Sequence, residues 1–535
     1  MDNFAVDFVA EFLMAGQRSV VDTTVTWSCP IEDNRPRHRG GPIDLPIDVI
    51  RRPELQGLTQ MSTTDRLPDP AEIISRLERI DHRAMTRMFI GILGLGFFFN
   101  FYDIFDINVS FIQTCAQVHP GCTPANAATY LKLPTLVNLV AYVVGALAVA
   151  PLSDRVGRRR LLIFTLVITS LGALYSALSQ DYLNFVLSRT LTGVGIGADL
   201  AVVNTYIGEI APRGARARHT SRTFIMATLG AFVALWLGLL LTTDSAPWPT
   251  GLPFAVGHSV TAGWRWMYVV AIVVGVVAIG LRTRLPESPR WLLAHGRIAE
   301  AEAAADALGA PPAVPAAATD TASAGAAQPA GRWESYREVF GNPVYRRRAL
   351  LLFLVWFTGY ITVYGYSAGF TVMLTGLHYT PPEAGVIAAV GTLGFVVQGF
   401  FSARWSERLE RRYWLPIGAA ITVVGAIVVA LGGQNLAVAF VGSVLIFFGF
   451  NVWVPPTYAM SSENFPTRAR STGFGLVDGV GHLGGGIGLL VIAPLIPHMN
   501  ALEALLLMSS FLCVSAVLAQ FSAHTRNRPL EEVSP

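Results

Sequence analysis

Runs of mostly apolar residues, each about 20 long and so able to cross a bilayer as a helix, recur twelve times along the chain. They centre on 88–112, 128–151, 161–179, 183–207, 222–243, 264–282, 349–373, 383–403, 413–432, 436–459, 471–494 and 500–521. Between the sixth and seventh runs lies a polar stretch, 283–348. Its middle, Gly309 to Gly331, is rich in Ala, Pro, Thr and Ser without a hydrophobic period, which predicts a flexible linker. Ala299 to Leu308 is Ala/Glu-rich and predicts a short helix. The pattern therefore predicts an all-α integral membrane protein of 12 transmembrane helices in two six-helix bundles, 88–282 and 349–521. A linker, 283–348, joins them, with an N-terminal segment, 1–87, and a tail, 522–535, outside.

Composition removes the alternatives. Of 535 residues, 52% are hydrophobic and 14% charged, with mean hydropathy +0.47. Soluble globular chains carry about 25% charged residues, so a string of soluble domains, a disordered chain and a fibrous repeat are all excluded. The net charge of +3 is small, and the placement of the cations says more. One set of loops holds Arg155, Arg158, Arg159, Arg160, Arg213, Arg216, Arg218, Arg284, Arg290, Arg346, Arg347, Arg348, Arg408, Arg411, Arg412, Arg468 and Arg470, with Arg282 at the margin. The opposite loops hold almost none, Lys132 and Arg265 lying at run margins. Because cytoplasmic loops retain positive charge, both termini and the linker are expected in the cytosol of a cell (inner or plasma) membrane protein. Four cysteines exclude a disulfide scaffold and offer no zinc spacing. Cys115 and Cys122, seven apart in the first outer loop, are either a disulfide or two free thiols.

Residues 1–60 lack the apolar core of a signal peptide, and Pro30–Pro46 is turn-rich without a period. Met61 opens a more coherent segment, in which Pro70-Ala71-Glu72 starts an amphipathic helix expected to run through Arg87. Translation is expected to start at Met61; the alternative is a disordered cytosolic tail.

The chain repeats itself. Ser153-Asp154-Arg155-Val156-Gly157-Arg158-Arg159 follows run two, and Ser406-Glu407-Arg408-Leu409-Glu410-Arg411-Arg412 follows run eight. Glu209-x-x-Pro212-x-x-x-Arg216 follows run four, and Glu463-x-x-Pro466-x-x-x-Arg470 follows run ten. Two motifs recurring at almost one offset describe two similar halves in the same orientation, with a substrate site expected between them near the midplane. The Asp154-Arg155-x-Gly157-Arg158-Arg159 loop resembles the signature of the major facilitator superfamily. Arg189-x-x-x-Gly193-x-Gly195-x-Gly197, Glu209-Ile210-Ala211-Pro212 and Pro286-Glu287-Ser288-Pro289-Arg290-Trp291-Leu292 resemble its sugar-porter, phosphate and organic-acid symporter branches. The resemblance covers about 88–523, with Ala150 standing where the loop signature usually begins with Gly. It implies that Asp154, Arg155, Gly157, Arg158, Glu209, Arg216, Glu407, Arg408, Glu463 and Arg470 form a cytoplasmic gate whose charge pairs exist in one of two states.

Carboxylates inside a membrane run are costly and so are functional candidates by default. Asp103 and Asp106 share one face of run one, being three residues apart. Asp199 lies in run four with Arg189, and Asp478 and His482, four apart, lie in run eleven. Gly479 to Gly488 is Gly-rich, permitting close helix approach or a broken helix. Trp356, Tyr360 and Tyr364 share a face of run seven with spacing suited to line a polar pocket. Asn204, Gln398 and Asn451 are further polar candidates. For every one of these residues the competing role is structural: pairing or packing that pins helices together.

Among the branches, the phosphate:proton symporters are most similar. Gly96 through Phe105 resembles their first-run motif, with Asn100 where an acid is usual; Leu200 and Ala201 replace the Tyr and Pro after the acid at Asp199. Tyr360 stands in place of an Asp, and His482 in place of a substrate-binding Lys. The resemblance thus keeps the proton-handling carboxylates while about half the phosphate cage is changed.

The sequence is read as a secondary active transporter, coupling proton symport to a small polar or anionic metabolite such as an organic acid or a phosphate-like ion. Asp103, Asp106 and Asp199 would handle the proton. Arg189, Trp356, Tyr360, Tyr364, Asn451, Asp478 and His482 would surround the substrate. A sugar symporter, a proton-driven exporter and a non-transporting membrane sensor are the alternatives. No Walker loop, zinc-site His pair or nucleophile elbow supports an enzyme. The partners expected are substrate, protons and lipid, without cofactor, metal or nucleic acid, for a monomeric chain.

Overall fold

The computed structural model describes residues 69–80, 82–123, 127–257, 259–260, 262–312, 334–376, 379–492, 495 and 499–535. The expected start at Met61 and most of the Ala/Pro-rich linker lie outside the described residues.

Twelve helices are long and apolar enough to cross a membrane. Spans one to six are Gly91–Val118, Tyr130–Val156, Arg158–Leu178, Tyr182–Ile210, Arg216–Thr242 and Gly263–Arg282. Spans seven to twelve are Pro343–Ser367, Pro382–Trp405, Arg411–Leu431, Leu436–Glu463, Thr467–Ile492 and Ala501–Ala519. The fold is an all-α integral membrane protein. Local chemistry sets the helix ends. Asp181 caps span four by accepting the Asn184 amide at 2.9 Å, and Asn500 with Glu503 forms a reciprocal capping box on span twelve. Gly157, at φ 103°, makes the turn between spans two and three that a side chain would strain.

Between the two sets of six, span five packs on span eight and span two on span eleven. The second crossing is close because small residues line it: a Cβ on Gly475 would sit 2.4 Å from the Ala146 carbonyl. Both helices widen there into one turn of π-helix, Gly145–Val149 and Gly475–Gly479, a distortion that gathers at functional sites. The close approach thus falls on Ala146, one turn before Ala150. Span ten breaks at Trp453, where Pro455 and Pro456 remove backbone donors.

Glycines in span eleven allow it to touch span seven. A Cβ on Gly484 would lie 2.0 Å from the Phe357 carbonyl oxygen, which cannot move aside. Gly484→Val is therefore expected to abolish monodisperse protein on size-exclusion chromatography. Gly280→Ala, whose Cβ meets nothing within 4 Å, should change stability by no more than about 1 kcal/mol.

The arginine-bearing ends of the spans carry a layer of short helices. Pro70–Glu78 is capped by Asp69 and buries Ile73 and Leu77. It ends at Arg79, whose amide turns back to the Arg76 and Leu77 carbonyls, and a new helix starts at His82. The single helix expected through Arg87 is thus two. Arg76 pairs with Asp306 and, at 3.5 Å, with Glu302 on Ile298–Ala307, a helix displaced by one residue from the expected 299–308. The tail folds back through Leu530–Val533, both ends of which are buried. Burial works against the Glu410 carboxylate, but the amides of Thr525, Arg526 and Arg411 outweigh it and hold the group below the usual range.

Candidate functional site

Two small cavities lie between the halves. The inner one, about 40 Å³, is lined by Phe105, Tyr360, Tyr364, Asn451, Tyr458 and His482 among others. The second, about 30 Å³, shares Ile104, Tyr364 and Ser367 with it and adds Asn108, Asn138 and Arg189. A cavity needs about 10–15 Å³ to hold one water, so these two have room for a few waters each. Admission of a metabolite requires the halves to separate.

The wall of the inner cavity is an aromatic cage around one carboxylate. Asp478 accepts Tyr360 Oη on Oδ1 at 2.6 Å and Tyr142 Oη on Oδ2 at 3.0 Å. Tyr142 belongs to span two, so this hydrogen bond ties the halves together at mid-depth. His482 is one turn further on, its Nδ1 2.8 Å from the Asp478 carbonyl oxygen. Its ring lies between those of Tyr142 and Tyr360, each centroid 3.9 Å away. Tyr458, past the break in span ten, brings its hydroxyl within 3.3 Å of that of Tyr360. Asn451, just before the break, lines the same cavity while its amide donates to the Phe447 carbonyl at 3.2 Å. Trp356 stands behind the cage: it stacks on Tyr360 and Tyr458, and its Nε1 donates to Ser461 Oγ at 2.8 Å.

Beside the outer cavity, Asp103 and Asp106 converge on Arg189. The guanidinium lies 3.2 Å from Asp103 Oδ2 and 3.8 Å from Asp106 Oδ1, and also donates to the Asp103 carbonyl at 2.8 Å. All three side chains are buried. Neither oxygen of the Asp106 carboxylate accepts a hydrogen bond among the described residues. Two carboxylates on one guanidinium leave one negative charge unmatched unless the pair carries a proton.

Asp199 does not join them. Arg282 of span six grips it with both terminal nitrogens, one of them at 2.9 Å from Oδ2. Asn100 donates to Oδ2 at 2.7 Å and Thr165 to Oδ1 at 2.6 Å. Arg282 also donates to the Leu162 carbonyl at 2.6 Å. This cluster is wholly buried and ties spans one, three, four and six to each other.

At the arginine-rich end the repeated motifs build matching triads. Arg158 lies 2.9 Å from Asp154 and 2.8 Å from Glu209; Arg411 lies 2.8 Å from Glu407 and 3.4 Å from Glu463. Several bonds cross between the halves here. Arg470 reaches Glu209 at 3.8 Å, Thr472 donates to Asp154 at 3.3 Å, and Ser153 meets Ser471 at 2.9 Å. The Arg218 amide donates to Glu407 at 3.1 Å, and Arg158 to the Thr467 carbonyl at 3.4 Å. Arg216, the counterpart of Arg470, contacts Glu78 at 3.5 Å and the Arg528 carbonyl at 3.3 Å. Glu287 caps the turn at Gly157 by accepting the Arg158 amide at 2.8 Å; burial pushes its carboxyl above the usual range despite these donors. Arg155 and Arg408 do not enter the network: both are exposed, and Arg408 lies over the Trp405 ring. Across the opposite end the described residues show one hydrogen bond between the halves, from Asn108 Nδ2 to the Ser367 carbonyl at 3.1 Å. Cys115 and Cys122 at that end form a disulfide.

Sequence reasoning missed Tyr142, Tyr458, Arg282 and Arg411 as site residues. Arg411 was legible from the spacing of four that it shares with Glu407, as Arg158 does with Asp154. The Pro455-Pro456 pair marks the break that presents Tyr458. No local signal identifies Tyr142.

The model of the sugar (and other) transporter family matches residues 88–535. The niacin transporter NiaP of Acinetobacter baylyi is 24% identical over 466 residues, covering 86% of this chain and 99% of that protein. The repressible high-affinity phosphate permease of Neurospora crassa is 26% identical over 498 residues, covering 83% and 85%. Among solved structures, the proton:xylose symporter XylE of E. coli bound to 6-bromo-6-deoxy-D-glucose superimposes with TM-score 0.66 at 18% identity, covering 87% of this chain and 99% of that one. Multi-pass topology, repeated motifs and the family match agree: this chain is a membrane transporter rather than an enzyme, and it belongs to the sugar (and other) transporter family of the major facilitator superfamily.

Proposed function

We propose that the protein is a proton-coupled symporter of a small polar or anionic metabolite, working by alternating access as a monomer in the plasma membrane. The reading rests first on Asp103 and Asp106 sharing Arg189, which lines the second cavity. A proton taken by this pair cancels its surplus negative charge and so lifts the repulsion toward an anion; its release restores that surplus. Asp199, bonded on both oxygens, is assigned an anchoring role. Asp478 joins the halves through Tyr142, and His482, Asn451, Tyr360 and Tyr364 face the substrate. The flat rings favour a planar solute by stacking, and the relatives named for niacin and phosphate point to an anion.

In the proposed cycle the bundles 88–282 and 349–521 rock about the cage, and the triads at the arginine-rich end close that side. The positive charge of that end supports a cytosolic position for it, both termini and the linker. The Cys115–Cys122 disulfide at the other end suits an oxidising exterior.

The test is proton entry into proteoliposomes with an alkaline interior and a trapped pH dye. Nicotinate, other small carboxylates, phosphate and sugars are added singly. A planar carboxylate is expected to start proton entry, with phosphate weaker and sugars inert. A response to sugars alone would replace the anion with a sugar, and a response to none in folded protein would remove proton import.

A further inference from the structure

At the arginine-rich end, the first turns of span seven, Asn464 and residues 521–523, just past span twelve, line a cleft of about 520 Å³, away from the cavities between the halves. Arg347 and Arg348 line it, and no carboxylate does. Arg348 is held in place: its Nη1 donates to the Val533 carbonyl at 2.7 Å and lies 3.4 Å from that of Asn464. Arg347 is exposed and makes no hydrogen bond or ion pair among the described residues. Two cations without a counter-charge call for an anion.

The rest of the lining says which kind. Val344, Leu351, Leu352 and Phe521 supply apolar walls, with Val344 and Phe521 51% and 71% exposed. Val514 and Val517 extend the exposed face of Phe521 along span twelve, at spacings of three and four. A soluble anion gains nothing from such a strip. A ligand with an acidic head and hydrocarbon chains uses both parts, and basic pockets between membrane helices are where such headgroups bind.

We propose that this cleft is a binding site for an anionic phospholipid. Arg347 and Arg348 hold the phosphate, and an acyl chain lies along Val517 and Phe521. The site stands on span seven and on the docked tail through Val533, so its occupant braces the seam between them.

Native mass spectrometry of the full chain tests the proposal, with phosphatidylglycerol and phosphatidylethanolamine of identical acyl chains offered together. Phosphatidylglycerol is expected to be retained preferentially. Arg347→Gln should weaken that retention about fivefold without altering the elution profile, because the side chain has no hydrogen bond or ion pair to lose among the described residues. Arg346→Gln, on the same helical turn but outside the cleft lining, should leave it unchanged. Equal retention of the two lipids would overturn the proposal. So would equal losses in the two variants, which would mean diffuse attraction, or displacement by millimolar inorganic phosphate, which would assign the cleft to a soluble anion.

Discussion

Asp199→Asn is expected to cost about 3–5 kcal/mol of stability, because it leaves the Arg282 guanidinium buried without its counter-charge. The group is 0% exposed and its remaining bond to the Leu162 carbonyl cannot neutralise it. Thermal unfolding in detergent should show the loss, and Arg282→Gln should show a similar one. The pair Asp199→Leu with Arg282→Met should regain most of it, since apolar groups of similar volume often replace a buried ion pair without penalty. A stable Asp199→Asn protein that has lost proton-driven uptake would instead return Asp199 to the proton path.

Asp106→Asn is expected to act in the opposite sense, sparing the fold while stopping proton entry at the level of empty liposomes. Asp106 is the more weakly held carboxylate, at 3.8 Å from Arg189 and with no hydrogen bond among the described residues. Removing its charge leaves the Asp103–Arg189 pair matched one to one. The variant should still exchange labelled for unlabelled substrate across the membrane, a process that needs no net proton movement. Asp103→Asn removes the nearer partner and should lose stability as well. If Asp106→Asn still moves protons with substrate, coupling does not run through this pair.

How much of this was legible beforehand follows from the range of the interactions. The spans announce themselves because each is a local apolar run, and the acids of the charge triads because their motif occurs twice. Asp103 and Asp106 could be put on one face by counting, but Arg189 as their joint partner is a contact between separate spans. Arg282 looked like a loop cation because it closes span six; only the packing of four helices turns it inward to Asp199. Asp478 shows the same limit, since its Tyr142 partner is 336 residues away in the chain. Arg155 and Arg408 sit within the right motifs but on the solvent side of their turns.

The uneven bonding of the two ends has a consequence for how the carrier meets its substrate. Among the described residues, one end is crossed by bonds from Arg470, Thr472, Ser153, Arg218 and Arg158, the other by Asn108 to Ser367. Conformers that open at the lightly bonded end are therefore expected to be the better populated ones. Apparent affinity equals intrinsic affinity scaled by the competent fraction, so a solute arriving there binds at close to full strength. The same solute approaching from the arginine-rich end finds a rare conformer and binds weakly. One unchanged site would thus show two faces, retentive toward one compartment and permissive toward the other.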